Sequence, residues 1–173
     1  MAGEGGARRA KELGIENYVY CSIGIQRRHS ARGVFTARKN VPKATGAAIE
    51  WAMRWEAMQR EEGFERRLLR ERLRTAEGVR LQTTHSMEGG KWVVGESKLI
   101  TERPFRAEEE CPAWMGVLLE ICARGPTVRE ALEALKAREA IPAQATGAEF
   151  TRFVRMLVSA GVLEIESLRL PGV

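Results

Sequence analysis

Seven side chains that can carry positive charge fall between positions 27 and 43: Arg27, Arg28, His29 and Arg32, then Arg38, Lys39 and Lys43. Guanidinium and ammonium groups at that density suit the neutralisation of successive phosphates on a polyanion. Tyr18, Tyr20 and Phe35 lie close in sequence and can offer a ring face to an unstacked base. The competing reading is a solvated hairpin whose aromatics are core. The charge of the whole chain favours phosphate contact: residues 1–80 hold 17 Lys/Arg against 10 Glu, whereas residues 81–173 hold 11 against 13.

A second group is Glu96-Ser97-Lys98, with Glu77 and Glu88 upstream. An E-x-K on a strand resembles metal-dependent nucleases, in which carboxylates hold Mg²⁺ and lysine orients water. The aspartate that usually precedes it has no counterpart, because all 23 acidic residues are glutamate. A charged strand edge is a sufficient explanation. Phosphate-binding G-x-x-x-x-G-K-[ST], G-x-S-x-G, H-E-x-x-H and paired C-x-x-C motifs are absent, and only His29 and His85 supply imidazole. A non-catalytic protein without cofactor or metal is expected. Cys21, Cys111 and Cys122 are odd in number and sit in apolar segments, which favours reduced, buried thiols. Trp51, Trp55, Trp92 and Trp114 lie on apolar stripes and are expected in the core or at the interface between the two domains. No run reaches the ~18 apolar residues of a membrane span. The start, MAGEGGARRAKELG, lacks a signal-peptide core, so a cytoplasmic protein with no membrane partner is expected.

The elements that must position these residues follow from periodicity. Residues 1–16 read as a mobile N-terminus. Residues 17–101 read as a basic α+β region, in which Tyr18–Ile25 and Val34–Ala37 flank the turn RRHSARG. A helix carries Trp51, Trp55 and Met58 at i, i+4, i+7, and Gly63 bends or interrupts it. Phe64, Leu68, Leu69 and Leu73 continue an apolar side through ERRLLRERLR, where Arg66, Arg67, Arg70 and Arg74 alternate with Glu61, Glu62, Glu65 and Glu71. A second hairpin spans 79–101 and turns at Glu88-Gly89-Gly90. TERPFRAEEECP then reads as a charged connector and soft domain boundary.

Residues 110–168 hold three short helices and a strand. Pro112 opens AWMGVLLEICA and Gly125-Pro126 ends it. Thr127 with Glu130, and Thr146 with Glu149, form T-x-x-E capping boxes. Phe150, Phe153, Val154, Leu157 and Val158 make the last buried stripe, which leaves Thr151, Arg152, Arg155 and Ser159 outside.

GPTVREALEAL and EFTRFVRMLVSAGVLEI resemble the second and third helices, and the strand after them, of the winged-helix superfamily. If residues 79–101 join them, the order is also similar to peptide-recognition elements of modified-peptide biosynthesis, which hold a leader peptide against a strand edge. The first resemblance implies that the last helix can enter a DNA groove with Arg152 and Arg155.

The expected fold is therefore α+β, a basic β-hairpin/helix/β-hairpin region followed by a winged-helix-like trihelical unit. The expected activity is nucleic-acid binding, to DNA or RNA, as a regulator or a non-catalytic subunit of a nucleoprotein assembly. The alternative is a peptide or protein adaptor that uses the C-terminal winged-helix-like unit together with the 79–101 hairpin, with a protein partner or a second copy of the chain.

Overall fold

The computed structural model describes residues 46–102 and 106–168. The expected N-terminal hairpin, with Arg27, Arg28, His29, Arg32, Arg38, Lys39 and Lys43, lies outside the described residues, as does Cys21. The chain is mixed α+β. Helices α1 (Gly46–Gln59) and α2 (Phe64–Leu68) precede strands β1 (Leu73–Thr75), β2 (Arg80–Glu88), β3 (Lys91–Thr101) and β4 (Ala107–Glu110). Helices α3 (Ala113–Cys122), α4 (Val128–Ala137) and α5 (Gly147–Ser159) follow, then β5 (Leu163–Ile165) and a 3₁₀ turn, Glu166–Leu168.

Trp55 is fully buried on α1, and its indole N–H donates to Ser159 Oγ at 2.8 Å. A buried indole needs such an acceptor, so this bond fixes where α5 ends against α1. The Phe64 ring meets Trp55 edge-on at 5.6 Å. Gly63, at φ 72, takes the left-handed conformation that separates α1 from α2. The expected helical continuation to Arg74 does not form, because α2 ends at Leu68 and Leu73 is carried into the core on β1. Tertiary hydrogen bonding overrides helix propensity here. Val128 N–H donates to Glu71 O and Arg129 N–H to Leu69 O, while Leu73 N–H donates to Pro126 O. On the other side β1 pairs antiparallel with β5, Leu73 opposite Ile165 and Thr75 opposite Leu163.

A single core runs from Trp55 and Leu73 through Leu99, Leu118 and Leu135 to Leu157 and Ile165. It crosses the expected boundary at residues 101–112. Most of the expected connector is also structured, since Ala107–Glu110 forms the third strand of the order β2-β3-β4. Three consecutive glutamates are poor strand formers, but pairing with β3 satisfies their backbone, and Glu108 and Glu110 remain exposed.

Both capping boxes are present. Thr127 Oγ1 accepts from Glu130 N–H, and Glu130 Oε2 accepts from Thr127 N–H at 2.7 Å; Thr146 and Glu149 repeat the arrangement. The N-cap backbone amide, then the threonine hydroxyl, hold both carboxyls below their ordinary 4.5. A depressed folded-state pKa contributes stability that is present above pH 4.5 and lost as pH falls through the folded value. Replacing Thr127 by Ala is expected to cost about 1 kcal/mol, a drop of ~2–4 °C in Tm. The double variant Glu130→Gln/Glu149→Gln is expected to flatten the loss of Tm between pH 5 and pH 3, as followed by circular dichroism.

Candidate functional site

The nine-residue β2 and eleven-residue β3 form a ribbon that is longer than the body needs. Only its root is buried. Leu99 and Thr101 are enclosed, and Thr101 Oγ1 donates to Ala160 O at 2.8 Å, tying the ribbon to the end of α5. Beyond Ser97 both strands are exposed on both faces. Gly89 and Gly90, at φ 54 and 78, supply the two left-handed residues of a tight hairpin turn.

A bulge decides which side chains share a face. Thr83 lies opposite Ser97, yet His85 lies opposite Val94, so Gly95 and Glu96 together face Thr84. An extra residue in one strand reverses its alternation beyond that point. Leu81, Thr83, His85 and Met87 of β2 consequently share a face with Leu99, Ser97, Val94 and Trp92 of β3. Without the bulge, Val93 and Gly95 would take the places of Trp92 and Val94. The opposite face carries Arg80, Gln82, Thr84, Ser86 and Glu88.

This apolar face is open to solvent: Trp92 is 70% exposed, Val94 64%, Leu81 59% and Met87 55%. Trp92 therefore departs from the expected core position, unlike Trp55, while Trp51 and Trp114 pack partly buried against the core. The reason is reach, since the ribbon carries Trp92 past the helices. The outer edge of β2 has no neighbouring strand among the described residues, and β4 covers β3 only from Lys98 to Thr101. Exposed edges of this kind are ready to pair with another extended chain.

The bulge itself is held by Thr84 Oγ1, which donates to Glu96 O at 3.1 Å. Gly95 leaves room for that hydroxyl, because a Cβ there would stand 2.9 Å from Thr84 Oγ1 and 3.4 Å from its carbonyl oxygen. An isolated glycine within a β-prone run is the sequence signal of such a bulge.

The outer side of α5 differs from expectation. Thr151 is buried and donates to Ala148 O, and Ser159 accepts from Trp55. Arg155 donates through Nε and Nη2 to Gln59 Oε1, at 3.1 and 2.9 Å, and its guanidinium stands 5.6 Å from the centre of the Phe64 ring. That side chain joins α5 to α1 and α2. The buried stripe of α5 includes Thr151, and Phe153 and Met156 are exposed beside Arg152. Phe153 meets Trp114 edge-on at 5.3 Å.

The described residues hold 17 Lys/Arg and 20 Glu, so the folded body is mildly acidic and the cationic excess belongs to the other residues. Arg67 pairs with Glu61 at 2.6 Å, and Arg74 lies on β1 opposite Glu164, which breaks up the expected row of arginines at helical spacing.

The Glu96, Lys98, Glu77 and Glu88 grouping does not converge. Glu88 closes the tip opposite Lys91, four residues beyond Thr84 and hence about 13 Å along the strand. Among the described residues no three His, Cys, Asp or Glu side chains come together as a metal site. Cys122 is buried and its thiol is pushed up to about 12 by that burial, and burial also raises the half-buried Cys111. Among the described residues no helix is long and apolar enough to cross a membrane. No protein-family model, curated protein or solved structure matches the chain.

Gly95→Ala tests whether the bulge sets the face. The added methyl group must displace Thr84, at a cost of about 1–3 kcal/mol to the ribbon. Amide exchange is expected to accelerate from Thr84 to Glu88 and from Lys91 to Glu96, while the core strands β1 and β5 keep their protection. Thr84→Ala in the same background relieves the closer clash and is expected to restore part of the loss.

Proposed function

We propose that this chain is a non-catalytic polypeptide-binding module whose contact element is the β2–β3 ribbon. The observation that carries this reading is the solvent-open row Leu81, Met87, Trp92 and Val94, assembled on one face by a bulge and bordered by a strand edge that has no neighbour among the described residues. An extended chain laid along such an edge gains main-chain hydrogen bonds, and the flanking apolar side chains select its sequence. Trp92 is the natural anchor, because a large aromatic supplies much contact area with few rotamers to order. The resemblance of α3, α4, α5 and β5 to a winged helix fits the same reading. The helix that would enter DNA presents Phe153, Met156 and Arg152, while Arg155 is bound to Gln59.

The cationic residues 1–45, nine Lys/Arg against three Glu, favour a second and separable activity, phosphate contact by Arg27, Arg28, His29, Arg32, Arg38, Lys39 and Lys43. Nucleic-acid binding is thereby assigned to that segment, and the folded body serves as its scaffold and protein dock.

Selection of peptides from a displayed random library, followed by fluorescence anisotropy on the hits, tests the first reading. Hits are expected to alternate apolar and polar residues, and Trp92→Ala is expected to weaken them by about 30-fold, the equivalent of ~2 kcal/mol. Hits indifferent to Trp92, or no hits, would overturn it. For the second reading, DNA and RNA binding is measured from 50 to 200 mM salt. Reversing Arg27, Arg28 and Arg32 to Glu is expected to reduce the log–log salt slope by about 2–3. An unchanged slope removes phosphate contact from that segment.

A further inference from the structure

The edge of the sheet at β2, which has no neighbouring strand among the described residues, is self-complementary when read backwards. β2 runs Arg80-Leu81-Gln82-Thr83-Thr84-His85-Ser86-Met87-Glu88. If a second copy lies antiparallel to it about a twofold axis through Thr84, Arg80 falls opposite Glu88 and Leu81 opposite Met87. Gln82 then meets Ser86, Thr83 meets His85, and Thr84 meets itself. Both charges are matched with their opposites, and each occurs twice by symmetry.

Residues directly opposite each other in an antiparallel pair share a face. The Leu81–Met87 pairs therefore extend the apolar face that already holds Trp92 and Val94, and the Arg80–Glu88 pairs fall on the polar face. The register is selective. A slip of one residue sets Leu81 opposite Ser86 and turns the second copy's apolar face to the other side of the sheet. A slip of two sets Leu81 opposite His85 and removes both ion pairs.

We propose that β2 pairs with β2 of a second copy of this chain, forming a six-stranded sheet in the order β4-β3-β2-β2-β3-β4 with one continuous apolar face. The inference rests on the reading of the ribbon as a polypeptide-binding element, and it names the partner of its outer edge. The β2 edge is nine residues long, about 30 Å of ladder, and among the described residues it carries no proline and no lysine to discourage pairing. Arg80 now pairs with Glu102 at 2.6 Å, and Glu88 accepts from Ser86 Oγ at 3.1 Å. Both interactions are exposed, and exposed pairs exchange at little cost.

Sedimentation velocity on the 173-residue chain from about 1 to 200 μM tests the proposal, a range that spans the micromolar affinities of modest interfaces. A dimer that dissociates on dilution is expected. Arg80→Glu and Glu88→Arg place like charges opposite each other at both ends and are each expected to weaken it by about tenfold. The double variant Arg80→Glu/Glu88→Arg restores opposite charges and is expected to recover the dimer. Melting curves of all three variants serve as the control for folding. A monomer at every concentration, a dimer indifferent to the single reversals, or a double variant that fails to recover overturns the self-pairing. A monomer that still binds selected peptides through Trp92 overturns the self-pairing alone, whereas a charge-switchable dimer that selects no peptides overturns the polypeptide reading and leaves the self-pairing standing.

Discussion

Residues 69–76 are the part on which the other elements depend, because their backbone is hydrogen-bonded from two sides. The first amides of α4, at Val128 and Arg129, have no partner inside their own helix and donate to Glu71 and Leu69. Leu73 N–H returns a bond to Pro126, and Ala76 N–H reaches Val162 beyond the β1–β5 pairing. One short extended segment thus satisfies the start of α4 and the only strand after α5 among the described residues. Buried backbone groups must be paired somewhere, so moving this segment would leave both elements unsatisfied.

That constraint also explains why the ribbon can be so exposed. The segment leaves β1 already fixed, and Leu99 and Thr101 fix the return of the chain at the root. Everything between is held by its own cross-strand bonds, the Gly89-Gly90 turn and the Thr84 bulge. A two-stranded ribbon has marginal stability alone, and anchoring at one end supplies what its tip lacks. The face that results is apolar although nothing among the described residues covers it. Large exposed apolar rows are uncommon on monomers and mark sites of association.

Much of this fold was legible from spacing. The capping boxes at Thr127 and Thr146, the Gly125-Pro126 stop, the turn at Gly89-Gly90 and the helix carrying Trp55 all appear where their local chemistry places them. These features are governed by residues within one helical turn or one hairpin loop of each other. The candidate site was legible in part, since Gly95 inside the Trp92–Ile100 run hints at a bulge but does not say which residues it brings together. Helix α2 ends early and β4 forms because partners distant in sequence claim their backbones, and no local pattern encodes that.

From its sequence alone the chain determined its caps and turns, its mixed α+β class, its lack of aspartate and the concentration of its cationic excess toward the N-terminal half. Tertiary structure alone decided the roles of individual side chains on those elements. Arg155 became a weld between helices, Phe153 was turned outward and Thr151 inward, and Trp92 was carried clear of the core. The physical reason is that periodicity specifies a face without naming what covers it. Cover is a property of neighbours, and at the ribbon a single extra residue opposite Thr84 set which face would remain open.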